Sequence, residues 1–223
     1  NVYGMGVSET MIGNFIKSNG NPFIIATKAS ISRNSETNER TFDNSATHLE
    51  TELHKSLERL CVDYVDLFYI HRRDQKIPIE DVMETLLKFK QDGKIGGIGF
   101  SEISPSSLRR ASEVGLVDAV QSEYSLWTRS AELGLIQTCK ELGVSFIPFS
   151  PLGRGVFSKK PPEPTTFGNL DFRKNNPRFL QPNFNQNLKL LTPFKQFCDE
   201  LGVSPSTIAI AWTLKQANHI LPI

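Results

Sequence analysis

The stretch from Val62 to Glu102, VDYVDLFYIHRRDQKIPIEDVMETLLKFKQDGKIGGIGFSE, decides the fold. Residues 65–70 and 95–100 are short, largely apolar runs of a length that suits a buried strand. Between them, residues 79–89 place Val82, Met83, Leu86, Leu87 and Phe89 at helical spacing, and Asp92-Gly93 is a helix stop. His71 and Ser101 stand just past the two runs. Strand, helix and strand in succession predict a βα unit of a parallel sheet.

The same alternation extends outward. Further strand-like runs lie at 23–27, 118–121, 144–149 and 220–223. Leu49, Leu53, Leu57 and Leu60 form one apolar helical face, opposed by Glu50, Glu52, Lys55 and Glu58, with Ser45 as the N-cap. Ser104-Pro105 opens another helix. Helices are also predicted at 133–142, stopped by Gly143, at 188–201, stopped by Gly202, and from Ser204-Pro205 to about Lys215. Two long stretches, 29–44 and 153–187, read as loops without regular structure and are expected to lie over the active face.

No GxGxxG follows a strand, which removes the fingerprint of an open dinucleotide-binding sheet. Polar residues follow nearly every strand instead: Lys28, His71, Ser101, Gln121 with Glu123, and Ser150. In a barrel such positions converge on the C-terminal face, where the chemistry is done. The prediction is therefore an α/β protein, a (β/α)8 TIM barrel forming one domain over residues 1–223. Only six of the eight strands are in view, so the first two strands and the final helix are expected outside these residues, and the sequence reads as an excerpt of a longer polypeptide.

Composition narrows the classes. Twenty-five Lys and Arg against 24 Asp and Glu leave a net charge of +1, with no general attraction to nucleic acid or to a membrane surface. No run approaches the roughly 18 apolar residues of a spanning helix. Cys61, Cys139 and Cys198 are odd in number and far apart, so reduced thiols in a cytoplasmic protein are expected, with no disulfide frame and no metal site. Oligomeric state is not readable.

Several motifs fall in a recognisable order. They begin with Tyr3-Gly4-Met5-Gly6-Val7-Ser8-Glu9, Ala26-Thr27-Lys28 and Tyr69-Ile70-His71-Arg72. Gly93-Lys94-Ile95, Gly99-Phe100-Ser101-Glu102 and Gln121-Ser122-Glu123-Tyr124-Ser125-Leu126 follow. Last come Phe149-Ser150-Pro151-Leu152-Gly153-Arg154-Gly155, Phe172-Arg173 and Asn176-Pro177-Arg178-Phe179. Each alone is weak, but in order over nearly the whole chain they resemble the aldo-keto reductase superfamily, in its bacterial and fungal branch with Ser-Glu after strand five.

The resemblance implies NADPH-dependent reduction of aldehydes or ketones, with a small-molecule carbonyl as substrate. Of the family's Asp, Tyr, Lys and His, it assigns Tyr3, Lys28 and His71, and places the aspartate ahead of Asn1. The chemistry suits these residue types. Hydride addition builds negative charge on the carbonyl oxygen, which then needs a proton. A lysine cation beside a tyrosine favours the phenolate, the role Lys28 takes towards Tyr3, and a neutral imidazole, His71, can donate a hydrogen bond to the oxygen.

For the cofactor the resemblance points to Ser101 and Gln121 at the nicotinamide carboxamide and to Phe149 against the ring. Ser150, Leu152, Gly153, Arg154 and Gly155 are placed at the pyrophosphate. Glu102 stands where asparagine is common and is carried in the same set. Phe149 reads equally as a core aromatic, Arg154 as a solvent-facing residue, and Trp127 as a substrate wall or as packing. Arg72, Arg73 and Asp74 are expected as salt-bridge partners in a loop. His48, His54 and His219 are read as structural.

Two other functions are weighed. One is a nucleotide-binding or regulatory barrel without turnover. The other is a glycosidase using Glu102 and Glu123 as paired carboxylates.

Overall fold

The computed structural model describes residues 2–33, 37 and 39–223. They group into two compact units, Asn1–Ser122 with Ala131–Ile147, and Glu123–Ser130 with Pro148–Ile223.

The first unit is built on the alternation that the sequence shows. Its elements are α1 (Val7–Asn19), β1 (Ala26–Ala29), β2 (Ile31–Arg33), β3 (Arg40–Phe42), α2 (Ala46–Leu60), β4 (Val65–Ile70), α3 (Ile79–Gln91), β5 (Ile95–Ser101), α4 (Pro105–Val114), β6 (Ala119–Glu123), α5 (Leu135–Leu142) and β7 (Ser145–Phe149), the last residues of β6 and β7 passing into the second unit. Five strands form one sheet in the order β1-β4-β5-β6-β7, with the pairs β1/β4, β4/β5 and β5/β6 parallel. Adjacent strands joined through helices are the repeating unit of a β/α barrel.

Burial explains the helices. In α2, Leu49, Leu53 and Leu60 are at most 1% exposed, and the Ser45 side chain accepts from the His48 N–H as its cap. In α3, Val82, Met83 and Leu86 are fully buried. Each such side chain removed from water stabilises the fold by about 1.5–3 kcal/mol. Ser104 caps α4 through the Ser107 N–H, with Pro105 in the first turn.

Several expectations change. The first strand is Ala26–Ala29 rather than 23–27. Its register is set by β4, from Ala26 opposite Leu67 to Ala29 opposite Ile70, which leaves Phe23 and Ile24 exposed. Lys28 and Gln121 thus lie inside strands, and Ser101 ends one. The predicted loop 29–44 contains an antiparallel pair, β2 with β3. The helix α1 was not expected. Its buried residues are Glu9, Gly13 and Ile16, whereas Met11 and Phe15 are exposed, so of its larger apolar residues only Ile16 marks its packed face.

The second unit holds α6 (Asn183–Glu200) and α7 (Pro205–Lys215). α6 begins five residues before the expected 188. Residues 153–187 are not featureless. They contain four 3₁₀ turns, Gly153–Gly155, Pro164–Thr166, Phe172–Asn175 and Pro177–Phe179. Val156, Phe157, Phe167, Phe179, Phe184, Leu191 and Ala209 are buried together there. Edge-to-face contacts join Phe157 to Phe194 and Phe167 to Phe179, which fixes the loop without any helical or strand period. The strand expected at 220–223 reduces to a single bridge at Ile220. Pro222 has no N–H to donate, and the Ile223 N–H reaches the Pro148 carbonyl.

All three cysteines are free, Cys61 exposed and Cys139 and Cys198 buried. Among the described residues no helix is long and apolar enough to cross a membrane.

Gly13 sets the approach of α1 to α2: a Cβ there would stand 2.0 Å from the Arg59 carbonyl oxygen, a backbone atom that cannot swing aside. Gly13→Ala is expected to cost about 1–3 kcal/mol through overpacking, read as a fall of roughly 2–4 °C in Tm per kcal/mol in thermal unfolding.

Candidate active site

Tyr3, Lys28 and His71 come together in the first unit. Lys28 lies in β1, and its Nζ donates to the Tyr3 hydroxyl at 3.0 Å. The same ammonium stands 5.1 Å from the Tyr3 ring centroid and 5.6 Å from that of Tyr69. His71 follows β4 directly and stacks on Tyr3, with ring centroids 5.6 Å apart and planes 27° from parallel. Tyr3 is 47% exposed, so the pair faces an opening, while His71 is 8% exposed.

Local backbone produces this meeting. The His71 N–H donates to the Ala29 carbonyl at 2.8 Å, continuing the β1/β4 ladder one residue past the strand. Tyr3 enters through the turn Gly4–Gly6, where Gly4, Met5 and Gly6 all have positive φ. Such a reversal is open to glycine and strained for Met5.

Burial pushes the His71 pKa down to about 3, helped by the charges of Lys28, Arg72 and Arg40. The imidazole is therefore neutral at ordinary pH and can donate one N–H. Burial likewise raises the Tyr69 phenol to about 12, so it stays protonated beside Lys28.

Arg72 and Asn44 organise the loop behind His71. Arg72 Nη1 donates to the His71 carbonyl at 2.6 Å and to Ser101 Oγ at 3.0 Å. Buried Asn44 donates to the Arg72 carbonyl and accepts from the Asp74 N–H. Arg73 Nη2 reaches the Ile77 carbonyl. Among the described residues, the hydrogen bonds of Arg72, Arg73 and Asp74 go to backbone groups, Ser101 and Asn44, and Asp74 also acts electrostatically on Arg73, as Glu102 does on Arg72. Asn44 was not legible in the sequence, because a lone asparagine in a polar loop has no pattern.

Ser101 and Gln121 are both buried, at paired positions of β5 and β6. Among the described residues, the Gln121 side chain makes no hydrogen bond, so its carbonyl and NH2 remain open. Glu102 is exposed in a left-handed conformation, and its N–H donates to the Gln121 backbone carbonyl.

The remaining expected residues lie in the second unit. Phe149 is half-buried and its carbonyl accepts from the Tyr124 N–H. Ser150, Gly153, Arg154 and Gly155 all have positive φ. The Gly153 and Gly155 N–H groups bond inside the loop, to the Ser150 and Leu152 carbonyls, and the Leu152 side chain packs on the phenylalanine cluster. Arg154 and Arg173 line a cavity of about 360 Å³ with Ser150, Asp171 and Phe172. Trp127 packs on Phe157 and Phe179, and it borders an apolar cavity of about 320 Å³ with Leu191 and Phe194.

Glu123 is held by Arg154 Nη2 at 2.6 Å, Arg178 Nη1 at 3.2 Å and the Thr128 hydroxyl at 3.0 Å. Burial alone would raise its pKa, but these partners outweigh it and hold the carboxyl below the usual range. Arg154 is therefore an ion-pair partner as well as a lining residue.

The sequence matches the model of the aldo/keto reductase family over residues 1–223, and the chain belongs to that family. It is 37% identical over 227 residues to an aldo-keto reductase of Schizosaccharomyces pombe whose name carries NADP(+), covering 100% of this chain and 67% of that protein. A probable aldo-keto reductase of Glycine max is 35% identical over 223 residues, covering 100% and 64%. The structure of a glycerol dehydrogenase from Gluconobacter oxydans is similar with a TM-score of 0.89 and 29% identity, over 100% of this chain and 68% of that one. The α/β fold is thus that of the aldo-keto reductase barrels. The chain spans about two thirds of the length of these relatives.

The His71 shift sets a pH dependence of stability. An unfolded imidazole takes up its proton near pH 6.5, the folded one only near about 3. Between those values the unfolded state binds more protons, so this contribution is complete above about pH 6.5 and is lost progressively as the pH falls. His71→Gln should lose less stability than the parent between about pH 7 and about pH 4.5, measured by urea midpoints.

Proposed function

We propose that this chain carries the catalytic centre of an NADPH-dependent reductase of small-molecule aldehydes and ketones, in a single barrel domain. The observation that carries the reading is the Lys28 Nζ contact to the Tyr3 hydroxyl at 3.0 Å, with a neutral His71 stacked on the same ring.

Tyr3 gives its proton to the substrate oxygen as negative charge grows there. Lys28, still hydrogen-bonded to the phenol oxygen, stabilises the tyrosinate left behind. His71 donates its N–H to the substrate oxygen and orients it. Because His71 is uncharged, it polarises that oxygen without competing with Tyr3 as the acid.

The residues present fit the cofactor at its nicotinamide end. The open donor and acceptor of Gln121, beside the Ser101 hydroxyl, match a carboxamide. The guanidiniums of Arg154 and Arg173 suit phosphate, with Glu123 and Asp171 as their partners. Ser150, Leu152, Gly153 and Gly155 shape that loop through their backbone, and in the first unit Glu102 borders Ser101. Trp127 borders the apolar cavity of the second unit. When bound, NADPH supplies the hydride.

The glycosidase alternative is disfavoured by Glu123. Held ionised by two arginines, Glu123 could serve only as nucleophile or base, and Glu102, left as the acid, is exposed where such an acid is normally buried.

Tyr3→Phe should lower kcat for NADPH-dependent aldehyde reduction by about 10²–10⁴-fold, with NADPH affinity kept, as followed by cofactor absorbance and fluorescence titration. An undiminished rate would exclude the reading. Cofactor binding without turnover in the parent protein would favour the non-catalytic barrel.

A further inference from the structure

We infer that Glu9 is a positioning residue for the Tyr3–Lys28 pair, tying the helix behind Tyr3 to the strand that carries Lys28. The inference rests on the catalytic reading of Tyr3 given above.

Glu9 lies in α1 and is 3% exposed. A buried carboxylate is costly unless it is paired and hydrogen-bonded. Both of its oxygens are engaged. Oε1 accepts from the Thr27 hydroxyl at 2.5 Å, and Oε2 accepts from Arg59 Nε at 2.7 Å. Thr27 and Lys28 are neighbours in β1, so their side chains leave opposite faces of the strand. Glu9 therefore grips one face of β1, while the ammonium on the other face holds the Tyr3 hydroxyl.

The third arm of the brace reaches the turn itself. Arg59 comes from α2, and its Cδ and Nε stand 2.9 Å from where a Cβ on Gly6 would lie. The arginine stem thus packs directly against the turn that delivers Tyr3. Thr10 Oγ1 also bonds the Gly6 carbonyl at 3.1 Å. A turn with three consecutive positive φ values has little intrinsic preference for one geometry, and the catalytic contact demands one. The network of α1, β1 and α2 supplies that constraint from outside the turn.

The test uses Thr27→Val, which keeps the shape and deletes the hydroxyl, and Thr27→Ser, which restores it, in the full-length protein. In Thr27→Val, kcat should fall by roughly 10–10²-fold, the scale set by a small misplacement of reacting groups. KM for the aldehyde and the NADPH dissociation constant should stay within about twofold of the parent on the same view. A second readout needs no turnover. The ultraviolet tyrosinate titration of Tyr3, assigned by difference from Tyr3→Phe, should move in Thr27→Val and return in Thr27→Ser.

Unchanged kcat and an unchanged titration in Thr27→Val, with Tyr3→Phe inactive, would overturn the inference alone. A fall in Tm without movement of the titration would also overturn it, since that is the behaviour of a purely structural ion pair. If Thr27→Val does not fold, Glu9→Gln applies the same two readouts with the Thr27 acceptor kept and the Arg59 pairing weakened. Should Tyr3→Phe retain full activity, the catalytic reading itself fails, whatever Thr27 does.

Discussion

An ammonium placed on a phenol oxygen is the constraint to which the first unit is organised. Lys28 sits inside a strand, where a charge must find a partner. Among the described residues its partners are the Tyr3 hydroxyl and the faces of two tyrosine rings. Tyr69 supplies one of those faces and stays neutral because it is buried. Among the described residues, the cation's field falls on the phenol oxygen at 3.0 Å.

His71 completes the arrangement by being uncharged. Its position one residue past β4 is fixed by a ladder hydrogen bond, and the positive neighbours Lys28, Arg72 and Arg40 disfavour a further cation. Arg72 then links the His71 carbonyl to Ser101 Oγ, joining the end of β4 to the end of β5. A single guanidinium thus connects the proposed orienting residue with a proposed cofactor residue.

In the second unit, charge and aromatic surface hold a long segment that lacks extended secondary structure. Glu123 collects Arg154 and Arg178, while Arg173 lies over Phe167 and Arg154 over Phe172. Such stacking lets an arginine cover apolar surface and keep its hydrogen bonds. Gly153 is required beneath this loop, since a Cβ there would meet both Phe157 and Trp127.

The alternation of strand and helix, the caps Ser45 and Ser104, and the order Tyr3, Lys28, His71 were all legible in the sequence. Each depends on local periodicity, on capping chemistry or on a motif within a few residues. The helix α1 was not legible, because it packs on Glu9, Gly13 and Ile16 while most of its larger apolar residues face outward. The folding of residues 153–187 was hidden for a related reason, since phenylalanines spaced irregularly can still share one core. Nor could the sequence pair Glu9 with Thr27 and Arg59, or Asn44 with the loop at Arg72. Those contacts join residues 18 to 50 positions apart. By itself, then, the sequence determined which residues to propose for the chemistry and on which kind of sheet. Only the tertiary structure decided which of them touch, because a hydrogen bond acts over about 3 Å, and no pattern along the chain measures that distance across it.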